Sequence, residues 1–302
     1  MKKWMKRTGI GLGSIVLALI LGLITVYAAS EVRFRRAYDE VAVSQFRASN
    51  DPAAVQRGQH LAVAVAKCVD CHNGDLGGKV LFDAGPVGVV VSPNITSGRG
   101  GAAARYSDGQ LERAIRHGVN AEGRALAVMP SSAYNAMSRE DMADLLAYLR
   151  SVPPVDRELP RTRVRALGRV LYMAGKLPLY EAEMIDHAVR PPAAVPPAVT
   201  VDYGEYLATI GGCKGCHTAT LAGTAVGHGP DEPGAANLTP AGPFGKWTEE
   251  DFFKAMRTGI RPDGTAINAA MPWALTGRMT DDELRAVYMY IKTVPPSPTP
   301  KA

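Results

Sequence analysis

Cysteine is scarce in this chain: four residues among 302, in two pairs, Cys68/Cys71 and Cys213/Cys216. None is left over for a disulfide framework or a lone thiol nucleophile. Basic charge is scarcer than the formal +5 suggests, because Lys2, Lys3, Lys6 and Arg7 supply four of those charges at the very start. The near-neutral remainder lacks the basic patch of a nucleic-acid binder, so no nucleic-acid partner is expected. Between Thr8 and Ser30 charge is missing altogether. At about 1.5 Å per residue, a helix of that length crosses a hydrocarbon core of about 30 Å.

The basic cluster before this apolar run favours the cytoplasmic side and places Glu31 and everything after it outside the cytoplasm. The competing reading is a cleaved signal peptide, with Val26-Tyr27-Ala28 as a cleavage site. The run is longer than an ordinary signal core, which favours a retained anchor. The expected location is therefore the inner (cytoplasmic) membrane, single-pass, with the bulk of the chain on the periplasmic side.

Both cysteine pairs sit in the same pentapeptide pattern, Cys68-Val69-Asp70-Cys71-His72 and Cys213-Lys214-Gly215-Cys216-His217. C-x-x-C-H is the attachment signature of c-type haem. Cysteines three apart share a helix face and can bond both vinyl groups of one porphyrin. The adjacent His72 or His217 is then placed as the proximal iron ligand. Zinc is the main alternative, but it wants four ligands per site at compatible spacing.

An internal repeat locates the distal ligands. Gly58 to Ala62 matches Gly204 to Ala208 at an offset of 146, the first cysteines match at 145, and Asn94-Ile95-Thr96 matches Asn237-Leu238-Thr239 at 143. Met129-Pro130 matches Met271-Pro272 at 142, as does Val152-Pro153-Pro154 with Val294-Pro295-Pro296. The drift suggests small loop insertions between fixed elements. Among 11 methionines, Met129 and Met271 are the expected sulfur ligands, because each lies in a loop stiffened by the following proline. Met137 and Met279 also match, but precede the caps Ser138 and Thr280 and read as hydrophobic staples.

Ser107 and Thr248 are expected to cap matched helices that end at Gly118 and Gly259. Arg116 and Arg257, in the last turns, either complement the helix dipole or pair with a haem propionate. Tyr106 and Trp247 are candidate propionate donors or ordinary core aromatics. Asn94 and Asn237 match the glycosylation sequon, yet their equivalence argues for a common loop role near the haem edge. His60, His117, His187 and His228 have no repeated counterpart and are expected to be packed or exposed, not ligands. The expected organisation is an anchor (1–30), a juxtamembrane segment (31–50), a first haem domain (51–158), a connector (159–198), a second haem domain (199–296) and an unstructured tail (297–302). The basic apolar stretch from Arg163 is expected to form a helix lying across the two domains or against the membrane surface.

These motifs together resemble the class I c-type cytochromes in tandem dihaem form. The order N-[IL]-T, [YW]-[ST], R-x-G, M-P and a last helix ending in V-P-P is similar to the haem domains in cytochrome subunits of periplasmic alcohol and sugar-acid dehydrogenases. Those subunits often carry three such domains; this chain has two. The resemblance implies a mostly α fold, one transmembrane helix followed by two cytochrome c-like domains, with two covalently bound haem c groups. It also implies His/Met ligation and electron exchange with redox proteins: a dehydrogenase, a respiratory complex, a soluble cytochrome or a terminal oxidase. With both sides of each iron filled, electron transfer is expected rather than catalysis; the alternative is a dihaem peroxidase-type enzyme, which needs a vacant site.

Overall fold

The computed structural model describes residues 2–49, 51–227 and 233–301. Helix α1 (Lys2–Phe34) is continuous. Within its segment Arg7–Phe34 an 18-residue stretch has a mean hydropathy of 2.5 and is not buried against the rest of the chain, so the helix is long and apolar enough to cross a membrane.

Asp51 caps α2 (Pro52–His60) by accepting from the Ala53 N–H. The helix runs on into a π-turn, Leu61–Val65, where the Ala66 N–H reaches back to the Leu61 carbonyl at 2.7 Å. Helix α3 (Cys68–His72) carries the first attachment motif. Then come strands β1 (Lys79–Asp83) and β2 (Gly88–Ser92), and helices α4 (Asp108–His117), α5 (Ser131–Tyr134) and α6 (Arg139–Ser151). The connector contributes β3 (Arg163–Val164) and α7 (Ala166–Met173). The second half repeats the helical order as α8 (Val201–Ile210), α9 (Cys213–His217), α10 (Glu249–Thr258), α11 (Trp273–Thr276) and α12 (Asp281–Thr293). The small antiparallel sheet β1-β2-β3 belongs to the first half and its connector.

In each half the first and last helices cross closely at a glycine. A Cβ on Gly58 would lie 1.8 Å from the Asp144 carbonyl oxygen, and one on Gly204 would lie 1.9 Å from that of Ala286. These two crossings, α2 on α6 and α8 on α12, are the largest helix pairings in the molecule. The capping pattern follows the sequence: Ser107 and Thr248 form full capping boxes with Gln110 and Asp251, and Gly118 and Gly259 close the helices with left-handed φ of 64° and 72°.

The first half has one more residue than the second between its crossing glycine and its first cysteine. The sequence pattern suggested a loop insertion. The structure puts the extra residue inside a helix, as the π-turn, because one added residue is what widens an α-turn to an i→i−5 bond.

The halves meet through equivalent surfaces. His60 Nε2, at the end of α2, bonds both oxygens of Glu283 at 2.8 and 3.0 Å. Reciprocally, the Tyr206 hydroxyl on α8 donates to Asp141 and accepts from the Ser138 N–H at 2.9 Å. His60 corresponds to Tyr206, and Asp141 to Glu283, in the repeat. Likewise α5 packs on α8 while α11 packs on the π-turn. A single buried core, including Leu61, Leu145, Leu207 and Leu284, runs through both halves.

The connector does not lie across the two halves. Val164 and Arg163 pair with Gly88 and Val89 of β2, and α7 docks on the outer end of α1. There Arg169 donates to Ser30 Oγ at 2.8 Å and to Glu31 at 2.9 Å, with its guanidinium 4.0 Å from the Tyr27 ring centre. Leu167 and Val170 on the same helix stay exposed.

Candidate haem sites

Each attachment motif forms a five-residue helix entered through a left-handed residue: Lys67 at φ 54° before Cys68, Gly212 at φ 74° before Cys213. That reversal separates the motif from the preceding helix and starts a new turn. Cys68 and Cys71, and Cys213 and Cys216, therefore stand one turn apart on a shared face. Burial pushes the Cys68 thiol up to about 12 and raises that of Cys213. Among the described residues no cluster of three or more His, Cys, Asp or Glu could hold a metal ion.

The histidines are held identically. His72 Nδ1 lies 2.8 Å from the Pro93 carbonyl oxygen, and His217 Nδ1 lies 2.7 Å from that of Ala236. A carbonyl only accepts, so Nδ1 carries the hydrogen and Nε2 keeps its lone pair. Burial lowers the pKa of both imidazoles, with the carbonyl bond opposing, and both are nearly inaccessible at 6% and 8%. A neutral imidazole with Nε2 bare and Nδ1 anchored is the form that binds iron.

Asn94 and Asn237 follow those carbonyls directly, and their amides explain why the carbonyls stay in place. Asn94 Oδ1 accepts from the Thr96 N–H and Oγ1 at 2.9 and 2.8 Å, while Nδ2 donates to the Val155 carbonyl at 2.7 Å. Asn237 does the same with Thr239, and its Nδ2 donates to Ser297 at 2.8 Å. Both asparagines are buried, at 2% and 7%, and spent on loop contacts. The sequon reading has no exposed amide to act on. Ser297, expected in an unstructured tail, is pinned because it is the counterpart of Val155.

Met129 and Met271, the expected sulfur ligands, are half-buried and packed against the core. Each backbone carbonyl accepts across the proline, from Ser131 N–H at 2.8 Å and Trp273 N–H at 2.7 Å. Val128, just before Met129, adopts φ 62°, a costly conformation for a β-branched residue, and its N–H is tied to the Leu179 carbonyl at 2.8 Å. Met137 and Met279, by contrast, are fully buried just ahead of α6 and α12 and fill the core as staples.

Arg116 and Arg257 both donate to backbone carbonyls, and Arg116 Nη2 is buried without a partner among the described residues. Arg116 Nη1 donates to the Asn135 and Met137 carbonyls at 3.0 and 2.6 Å, and Arg257 bonds the Gly277 carbonyl and Asp281. Both clamp the segment that follows the methionine to the helix before it. Tyr106 and Trp247 sit at the core margin. Trp247 packs on Phe244 at 5.5 Å, and neither the Tyr106 hydroxyl nor the Trp247 indole N–H has a hydrogen-bond partner among the described residues. Of the unmatched histidines, His60 holds the interface and His117 lies 3.1 Å from His187, Nδ1 to Nδ1. Burial, then His187, pulls the His117 pKa down to about 4. His228 lies outside the described residues.

The fold and this doubled geometry agree with a family match: the cytochrome c pattern fits residues 55–153 and again 201–295. The chain belongs to the cytochrome c family. Family membership carries with it covalent haem c and electron transfer. The chain is 30% identical over 283 residues to the cytochrome c subunit of a quinone alcohol dehydrogenase from Gluconacetobacter polyoxogenes, covering 82% of this chain and 57% of that subunit. It is 28% identical over 281 residues to the cytochrome subunit of fructose dehydrogenase from Gluconobacter japonicus, covering 82% and 54%. A diheme cytochrome c-type protein of Cereibacter sphaeroides is 27% identical over 232 residues, covering 69% and 72%. This cytochrome thus spans little more than half the length of the dehydrogenase subunits it matches.

The carbonyl partners of the histidines escaped the sequence reading, although the repeated asparagine one residue later marks both. The π-turn escaped it too; its signal was the one-residue drop in repeat offset.

Proposed function

We propose that this cytochrome is a membrane-anchored dihaem electron-transfer protein on the extracytoplasmic face, passing electrons from a quinone-linked type of dehydrogenase, or a comparable donor, to a respiratory acceptor. The observation that carries the reading is the paired Nδ1–carbonyl bond at His72 and His217, which prepares two equivalent Nε2 ligands in one chain. Covalent haem c supplies a one-electron ferric/ferrous couple at each site. Cys68, Cys71, Cys213 and Cys216 would form the thioether links. His72 with Met129, and His217 with Met271, would hold the two irons, and with all four in place neither iron would offer a site to water or peroxide. Tyr106 and Trp247 offer their unpartnered donors to propionates. Helix α1 holds the assembly at the membrane, and the Arg169 contacts orient it there.

Substituting Met129→Ala and Met271→Ala one at a time tests the ligand set. Each is expected to remove the sulfur-to-iron charge-transfer absorption of one haem and to lower one midpoint potential. Unchanged spectra in both variants would refute the assignment. For the anchor, replacing residues 2–30 with a cleavable secretion signal should release the cytochrome into the soluble periplasmic fraction. Release of the native chain under the same lysis, without detergent, would sink the anchored reading.

A further inference from the structure

The side chain of Lys67 bridges the two halves at their attachment motifs. Its Nζ donates to the Val65 carbonyl in its own half at 2.8 Å and to the Gly211 carbonyl in the other half at 2.8 Å. Lys67 immediately precedes Cys68, and Gly211 lies two residues before Cys213. One ammonium therefore sits between the first thioether positions of both haem sites.

Three observations set this lysine apart. It holds a left-handed backbone at φ 54°, whereas its repeat counterpart is Gly212. Glycine takes that conformation without penalty; a residue with a Cβ is strained there. The fold tolerates that strain at the one position where a side chain can reach the seam. Its other acceptor, Val65, ends the π-turn, the single-residue insertion that distinguishes the first half. Finally, no carboxylate lies within salt-bridge distance of Lys67 among the described residues, although Asp70 acts on it through space, while Lys214, inside the second motif, is paired with Glu205 at 3.0 Å. Burial lowers the Lys67 pKa, as expected for a cation offered only carbonyl partners.

We propose that Lys67 is a positioning and electrostatic residue that fixes a positive charge between the two haem attachment sites and raises their reduction potentials. A cation without a salt-bridge partner in a partly desolvated seam favours the reduced iron, which carries one charge less. It acts on both sites because its two hydrogen bonds belong to both halves. This inference rests on the dihaem reading above but has its own readout.

The experiment is potentiometric titration of the detergent-solubilised holoprotein, wild type against Lys67→Met, Lys67→Gly and Lys67→Arg. Covalent haem content and the sulfur–iron absorption, measured in parallel, check the underlying ligand assignment separately. Lys67→Gly guards against misfolding, since glycine suits the left-handed backbone. Lys67→Met and Lys67→Gly are expected to lower at least one midpoint by threefold or more in the oxidation equilibrium. The shift should be on the order of tenfold, which is about 59 mV for one electron. Lys67→Arg is expected to stay within threefold of wild type. Shifts below threefold at both haems in the neutral variants overturn the proposal. A shift in Lys67→Arg as large as in Lys67→Met also overturns it, because packing rather than charge would then be the cause.

Discussion

At the scale of single residues, the site is built from side chains that hold backbone rather than from side chains that face a ligand. Asn94 and Asn237 each satisfy a threonine and a distant carbonyl, and so keep a neighbouring carbonyl under a histidine. Asn94→Ala should leave buried donors and an acceptor unpaired and cost about 1–3 kcal/mol, read as a lowered thermal midpoint of the holoprotein. The sequence made His72 and His217 legible, because the chemistry of attachment dictates their position relative to the cysteines. It left the asparagines ambiguous, because a sequon and a loop staple use the same three letters and differ only in burial. Arg116 and Arg257 were left open in the same way: an arginine at a helix end suits a dipole, a propionate or a carbonyl clamp equally well. His117 was readable only as packed. With its folded pKa near 4, below the ordinary histidine value, the folded state binds that proton more weakly than the unfolded chain. Its contribution is complete above the unfolded pKa and is lost as pH falls toward 4. Replacing His117 with Gln should flatten the decline in thermal stability over that interval.

At the scale of elements, the recurring unit is a first helix crossed by a last helix, with a short attachment helix between them. The crossing depends on a missing side chain. Gly58→Ala or Gly204→Ala should force α2 from α6, or α8 from α12, against a carbonyl with nowhere to move. Overpacking of this kind costs typically 1–3 kcal/mol, and differential scanning calorimetry of the holoprotein should show the loss. Helices, caps and terminating glycines were legible because each depends on a local pattern. The sheet was not. Its third strand is two residues of the connector, and pairing across that distance depends on tertiary context. The π-turn was visible only as a change in register between halves, which does not distinguish an insertion in a loop from one in a helix.

At the scale of the molecule, the two halves are joined by reciprocal clasps, His60 with Glu283 and Tyr206 with Asp141. Glu283 raises the His60 pKa through its hydrogen bond, against the effect of burial, and Glu283 is itself lowered despite burial. The folded state thus binds the His60 proton more tightly than the unfolded chain. The clasp is at full strength below the unfolded histidine pKa and weakens as pH rises through the folded one. His60→Gln should remove this alkaline loss, measured as the pH dependence of the thermal midpoint, and His60→Ala with Tyr206→Phe should separate the unfolding of the halves into two transitions. Because equivalent faces meet, the arrangement has the geometry of a symmetric dimer whose subunits happen to share one polypeptide. The tether turns what would be association between molecules into a unimolecular event, governed by effective concentration rather than abundance. If α1 anchors the chain and both sites carry haem, as proposed, one helix carries both electron centres at fixed stoichiometry, and dilution in the plane of a membrane cannot part them.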